Sequence, residues 1–149
     1  MIEIKTFTEK DKPSQEEKNQ VIDFLYQHLE HFGDPKNDIE KAVDYSLKEY
    51  PSFGGFVLAA YENTEVVGAV VVNQTGMKDY IPENILVYIA THNALRGKGI
   101  GKQLMQEAIS QAEGNIALHV EPDNPARYLY EKLGFTSKYL ELPLMKSSS

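Results

Sequence analysis

The sequence predicts an α/β domain, α+β in some schemes, with a sheet flanked by helices, and three observations carry that prediction. Strand-like runs stand at "MIEIKTF", "GFVLAAYE", "EVVGAVVVNQT" and "ENILVYIAT". Between and after them lie segments with the 3.6-residue period of amphipathic helices. A glycine-rich basic stretch, "LRGKGIGKQL", joins the most continuously apolar run to one of those helices, giving a strand-loop-helix unit.

The chain has 149 residues, of which 42% are apolar, enough for one domain spanning 1–149 with a real core. Residues 146–149, "KSSS", read as a disordered tail. A formal charge of -7 argues against general nucleic-acid binding, which usually needs a basic face, and favours a cationic partner. The chain has no cysteine, which excludes disulfides, thiolate metal sites and a cysteine nucleophile. No apolar run approaches the roughly 20 residues of a membrane span, and the N-terminus lacks the apolar core of a signal peptide. The expectation is a soluble cytoplasmic protein with no membrane partner.

The elements follow in order. "MIEIKTF" alternates as the first strand. Ser14, with Glu17 three residues on, is a capping box for a helix whose apolar stripe is Val21, Ile22, Leu25, Leu29 and Phe32, ended by Gly33. Asn37 with Glu40 repeats the signal for a second helix carrying Ile39, Val43, Leu47 and Tyr50, stopped before Pro51. Asn63-Thr64 separates two strands of a hairpin, and the apolar run after it reads as a central strand. The basic loop then opens a helix with Ile100, Leu104, Met105, Ala108, Ile109 and Ala112 on one stripe, ended by Gly114-Asn115. "IALHV" is the next strand. Asn124 as N-cap and Pro125 at the first helical position start a short helix with Ala126, Leu129, Tyr130 and Leu133, which Gly134 closes before the strand-like "FTSKYLELPLM".

The loop suits an anion. It stands where a helix offers free N–H groups and the positive end of its dipole, and glycines let that backbone approach closely. Arg96, Lys98 and Lys102 add charge where it helps. A plain tight turn is the alternative, which three alternating glycines with three cations make the poorer account. A nucleotide P-loop fails because Lys102-Gln103 follows Gly101, leaving no hydroxyl for magnesium. A dinucleotide fingerprint starting at Gly97 is weak because Lys102 stands where its third glycine belongs.

Arg96-x-x-Gly99-x-Gly101 after a strand, then a helix, a strand and "NPARYLYEKLGF", resembles the GNAT superfamily of acyl-CoA-dependent N-acetyltransferases. The order of elements agrees along nearly the whole chain, and the specific motifs occupy about residues 85–135. The resemblance implies a three-layer fold with a central mixed, mostly antiparallel sheet whose central strands splay apart. It also implies acetyl-CoA as cosubstrate and no metal. Carried over, Arg96, Gly97, Lys98, Gly99, Ile100, Gly101 and Lys102 would hold the pyrophosphate. Ile89, Ala90 and Thr91 would offer an unpaired strand edge to pantetheine. Two positions depart from the family pattern. Asn93 replaces a common proline, and Asp123 stands where an asparagine often does, with neighbouring Asn124 as a substitute cofactor contact.

The chemistry needs few special groups. A thioester is already activated, so a positioned neutral amine attacks it without a covalent enzyme intermediate. The amine must first lose a proton, and the departing thiolate benefits from a proton donor. Tyr130 matches the tyrosine that many members of the family use as that acid; its alternative is a core aromatic, and Tyr128 lies off the stripe. The base stays open between Glu83, His119 and a water chain, with His92 and Glu121 nearby in sequence. His119 and Glu121 would share a strand face, and His28 and His31 read as solvent-facing. In such a fold the first two helices and "QTGMKDYIPEN" would wall the acceptor site with Tyr26, Asp34, Asp38, Tyr45, Asp79, Tyr80 and Glu83. That wall suits a small-molecule primary amine. A peptide or protein N-acetyltransferase is a second reading, and a noncatalytic acyl-CoA-binding sensor a third. The oligomeric state stays open, a homodimer included.

Overall fold

A computed structural model describes residues 2–137 and 140–146. The chain divides into two compact units, Met1–His119 and Val120–Ser149. In chain order the first unit contains β1 (Glu3–Phe7), α1 (Gln15–His28), a 3₁₀ turn (Glu30–Phe32), α2 (Lys36–Leu47), β2 (Gly55–Glu62), β3 (Glu65–Gln74) and β4 (Asn84–Thr91). A second 3₁₀ turn (Asn93–Leu95), α3 (Ile100–Gln111) and β5 (Ile116–Leu118) complete it. The second unit contains α4 (Arg127–Lys132).

The sheet runs β1-β2-β3-β4-β5, antiparallel at every join except the parallel β4–β5 pair. It is therefore mixed and mostly antiparallel, as the family resemblance implies. Asn63 and Thr64 both take positive φ, 52° and 70°, the type I′ geometry that matches the twist of the hairpin's strands. β2 and β3 are buried on both faces. One face packs with Val21, Leu25, Ile39, Val43 and Leu47 of α1 and α2 against Val57, Ala59, Ala69 and Val71. On the other face a Cβ at Gly68 would come within 2.6 Å of Leu104 Cδ1, so this glycine lets α3 lie close on β3. Three layers result. Among the described residues, no helix is long and apolar enough to cross a membrane.

The capping box at Ser14 forms in both directions, the hydroxyl accepting from Glu17 N–H and the Glu17 carboxylate accepting from Ser14 N–H. The start of α2 differs from the expectation. Pro35 is the N-cap, with no side-chain cap, and Asn37 lies inside the helix: the proline ring fixes φ near the helical value and starts the helix before Asn37 can cap it. Tyr50 lies beyond the helix, which ends at Leu47 with Lys48 in the left-handed region at φ 54°. β4 is not the middle strand, a place taken by β3. β5 pairs with only its first three residues, and the rest of β4 is half-covered. Ile109 is 40% exposed, outside the α3 stripe of Ile100, Leu104, Met105 and Ala108.

In the second unit α4 starts at Arg127, later than expected. Asn124 Oδ1 does accept from Ala126 N–H, but the backbone bonds Arg127 N–H to Asn124 O and Tyr128 N–H to Pro125 O make a tighter lead-in before the α-helix. No strand forms among the described residues 135–137 and 140–146, where the sequence suggests one. Pro143 removes a ladder donor there. Of the expected tail, 147–149 lie outside the described residues.

Candidate functional site

The loop after β4 is anchored at its root and open at its tip. His92 N–H donates to Val67 O on β3 at 2.9 Å, and His92 Nδ1 accepts from Ala94 N–H, capping the 3₁₀ turn Asn93–Leu95. The chain then passes through Gly97 (φ 85°) and Gly99 (φ 82°), conformations that L side chains rarely adopt. A Cβ at either would meet nothing within 4 Å, so the glycines face open space. Gly99 is the N-cap of α3 and supplies no side-chain bond, and the first turn of α3 holds no acidic residue. In the loop Lys98 N–H donates to Leu95 O at 3.3 Å, and among the described residues the first bonded amide of α3 is Gln103 N–H, which donates to Gly99 O. The earlier N–H groups at Ile100, Gly101 and Lys102 are left with the positive end of the helix dipole. Lys98 and Lys102 are exposed and make no ion pair among the described residues. A diphosphate fits this cradle: it supplies the acceptors the turn lacks.

Upstream, β4 offers an edge. β5 covers only Asn84, Ile85 and Leu86, so residues 87–91, which include Ile89, Ala90 and Thr91, have no β5 partner. On the β3 side the register passes from Tyr88 to Leu86 across Val71/Val72, which leaves Val87 as the extra residue of a bulge. A bulge takes a peptide group out of the ladder and re-aims it. An amide-bearing arm can pair along such an edge, and it would run from the bulge toward the glycine loop.

Arg96 joins this loop to the end of α1. Its Nη2 donates to His28 O at 3.2 Å, and its Nη1 lies 3.7 Å from Glu30 Oε1. His28 is not solvent-facing: only 5% exposed, its ring packs 4.5 Å from Phe24 and 4.5 Å from His92. Its Nδ1 accepts from Asn93 N–H, and burial pushes its pKa below the usual histidine range. The His31 side chain lies outside the described structure.

Glu83 has a structural task. Its Oε1 accepts from Asn115 N–H at 2.7 Å and its Oε2 from Asp79 N–H at 3.1 Å. These bonds hold the carboxyl below its ordinary range, which makes it a weak base. A Cβ at Gly114 would lie 2.6 Å from that same oxygen, so the glycine gives the carboxylate room. Asn84, buried beside it, donates from Nδ2 to Glu113 O and Asn115 O. Tyr45 is also structural, its hydroxyl donating to Gln74 O at 2.7 Å. Tyr26, Asp34, Asp38, Asp79 and Tyr80 are exposed. The Tyr88 hydroxyl, which sequence reasoning passed over as part of an apolar run, donates to Asp34 Oδ2.

His119 is exposed and stands one residue beyond β5, so the shared strand face with Glu121 does not form. In the second unit Asn124 spends its Oδ1 on Ala126 N–H, and Asp123 is exposed. Tyr130 is 8% exposed and packs edge-on to Phe135, while burial pushes its phenol up to about 12. Tyr128 is exposed.

The GNAT acetyltransferase family model matches residues 21–135, a span that includes residues of both units. No curated protein matches the chain. Among solved structures, a transcriptional regulator from Bacillus halodurans C-125 is similar at 21% identity and TM-score 0.72, over 98% of this chain and 100% of that one. A GNAT family acetyltransferase from Streptococcus pneumoniae TIGR4 is similar at 19% identity and TM-score 0.72, over 99% and 100%. An aminoglycoside N-acetyltransferase in complex with CoA is similar at 15% identity and TM-score 0.71, over 99% and 96%. At these identities the structural likeness speaks for the fold. With the family model covering most of the length, this chain belongs to the GNAT family of acetyltransferases.

Proposed function

We propose that the chain is an N-acetyltransferase that moves an acetyl group from acetyl-CoA to a primary amine of a small molecule, by direct attack without a covalent enzyme intermediate. The observation that carries this reading is continuity: the unpaired edge of β4 leads through a capped turn to two glycines and the uncapped N-terminus of α3. The family match crosses from one unit to the other, which supports treating 1–149 as one functional domain.

Bound acetyl-CoA supplies an activated acyl group, and the protein's tasks are to hold it, orient the amine and manage two protons. In this reading the amides from Arg96 to Lys102 take the pyrophosphate, with the Lys98 and Lys102 charges beside them. The peptide groups of residues 87–91 pair with pantetheine, and the bulge at Val87 aims one toward the thioester carbonyl. Asn124 contributes at most a carbonyl or amide contact, since its Oδ1 is already used. Tyr130, with its pKa raised by burial, is protonated at neutral pH and serves as hydrogen-bond donor to the leaving sulfur. Glu83 is bound up in the Asn115 and Asp79 contacts, which favours release of the amine's proton through water, with His119 as the alternative base.

The acidic wall and net charge of -7 favour a small cation on approach. Aminoglycoside acetylation by one structural neighbour is consistent with such an acceptor. The test is release of CoA thiol from acetyl-CoA across polyamines, amino acids, aminoglycosides and peptides. We expect turnover with at least one small amine. Turnover confined to peptides would overturn the small-molecule assignment, and tight acetyl-CoA binding without thiol release from any amine would make the protein a sensor.

A further inference from the structure

The residue that follows the β4 bulge is Tyr88. It is buried in the cluster beneath α1 and α2, and its hydroxyl reaches the segment between those helices. There it donates a 2.5 Å hydrogen bond to Asp34 Oδ2. A phenol hydroxyl usually finds a partner, and a backbone carbonyl serves as well, as Gln74 O does for half-buried Tyr45. At Tyr88 the partner is a charge. Burial and the Asp34 carboxylate, with Asp38 adding to them, hold the phenol above its ordinary range, so it stays a donor at any working pH.

Asp34 is exposed, and no cation answers it among the described residues. Three other carboxylates around α1 and α2 are answered, Asp23 by Lys36, Asp44 by Lys18 and Glu30 by Arg96, while Glu16, Asp38 and Glu40 share the lack of an ion pair among the described residues but have no buried group holding them. An exposed carboxylate ordinarily swings in water. Asp34 is fixed in place by a buried side chain rooted on the strand that carries the open edge, with Oδ1 left for a partner from outside.

The attacking amine cannot be that partner for long. It must be neutral to react, and an adjacent carboxylate favours its protonated form. The site instead suits a nitrogen that stays charged throughout. We propose that Asp34, set by Tyr88, is a specificity-determining residue that holds a second, non-reacting ammonium of the acceptor. The acceptor class is then a small di- or polycationic amine. This inference rests on the acetyl-transfer reading above, and Tyr88 acts in it as a positioning residue.

The test compares a linear diamine with a monoamine of equal chain length, using wild type, Asp34→Asn and Tyr88→Phe. Wild type should prefer the diamine in kcat/KM by about 10-fold or more, the worth of one charge-assisted hydrogen bond. Asp34→Asn should lose about 10- to 100-fold with the diamine, chiefly through KM, and stay within about twofold with the monoamine. Tyr88→Phe keeps the ring and should lose about 3- to 10-fold, again in KM and only with the diamine. Asp34→Asn is an exposed isosteric change, and an unchanged melting temperature shows that the fold is intact. Equal use of the two amines by wild type, or an equal loss with both in Asp34→Asn, overturns this inference alone. No CoA release from wild type with any amine overturns the transfer reading, and this inference with it.

Discussion

Between residues 96 and 102 the donors left unbonded among the described residues are the backbone N–H groups of the first turn of α3, and the side chains there are three exposed cations and an apolar anchor, Ile100. Between residues 26 and 38 and between 75 and 83, two carboxylates are held by groups far away in sequence. Asp34 is set by Tyr88, 54 residues on, and Glu83 by Asn115, 32 residues on. In the proposed function the first region can be written in one short stretch because the peptide itself would bind the ligand, and glycine is the local signal for its shape. The second needs the finished fold. A backbone cradle also tolerates drift in side chains, whereas the proposed acceptor wall would change its specificity one residue at a time.

The largest expected effect tests the backbone side. Gly99→Val places a β-branched residue at φ 82° and fills the open space before α3. Acetyl-CoA affinity measured by calorimetry should fall by about 100-fold or more, from backbone strain and steric exclusion together, with the overall fold retained by circular dichroism. Wild-type affinity would reduce the loop to a turn.

Tyr130→Phe comes next. Removing the hydroxyl should lower kcat by about 10- to 1,000-fold with little change in acetyl-CoA affinity. Unchanged turnover, with chemistry shown to limit the rate, would return Tyr130 to a packing role.

Arg96 sharpens the comparison because it is the side chain that ties the two regions together. Its charge is shared with Glu30 and half exposed, so Arg96→Ala should weaken acetyl-CoA binding by only about 3- to 10-fold. Glu30→Ala frees the guanidinium and should tighten binding by up to about threefold. A loss in Glu30→Ala would mean that the pair positions Arg96 and does not compete for it.

The smallest effect is Glu83→Gln. The carboxyl's pKa is depressed in the folded protein, so its stabilisation is present above the unfolded value near about 4.3 and is lost as pH falls through the folded one. The melting temperature of Glu83→Gln should lie below wild type at neutral pH, with the gap closing as the pH falls below the ordinary carboxylate range. Any loss of kcat/KM should not recover at high pH. Recovery there, where free amine is abundant, would restore Glu83 as the base.

These contrasts also mark how far the sequence could be read. The hairpin at Asn63-Thr64, the capping box at Ser14 and the loop at Gly97 and Gly99 were legible because each is a local rule about φ or about an N–H left unpaired. His28 looked like a surface residue because its helix face is decided by the ring of His92, 64 positions away. Tyr88 looked like one more apolar position in a strand, since nothing in "ILVYIAT" signals a carboxylate across from it. Glu83 has the residue type and strand-edge position of a base, and only the turn at Gly114-Asn115 shows that its oxygens are occupied. The run after Gly134 alternates like a strand, yet Pro143 and the missing partner leave its described residues unpaired in any ladder.

Amide hydrogen–deuterium exchange with and without acetyl-CoA tests most directly whether backbone groups carry the cofactor. Addition of acetyl-CoA should slow exchange at the amides of residues 87–91 and 97–102, including those at Gly97, Gly99 and Gly101, and leave the Asn63-Thr64 turn unchanged. Saturating acetyl-CoA that protects neither segment, or protects only residues elsewhere in the chain, would contradict the account.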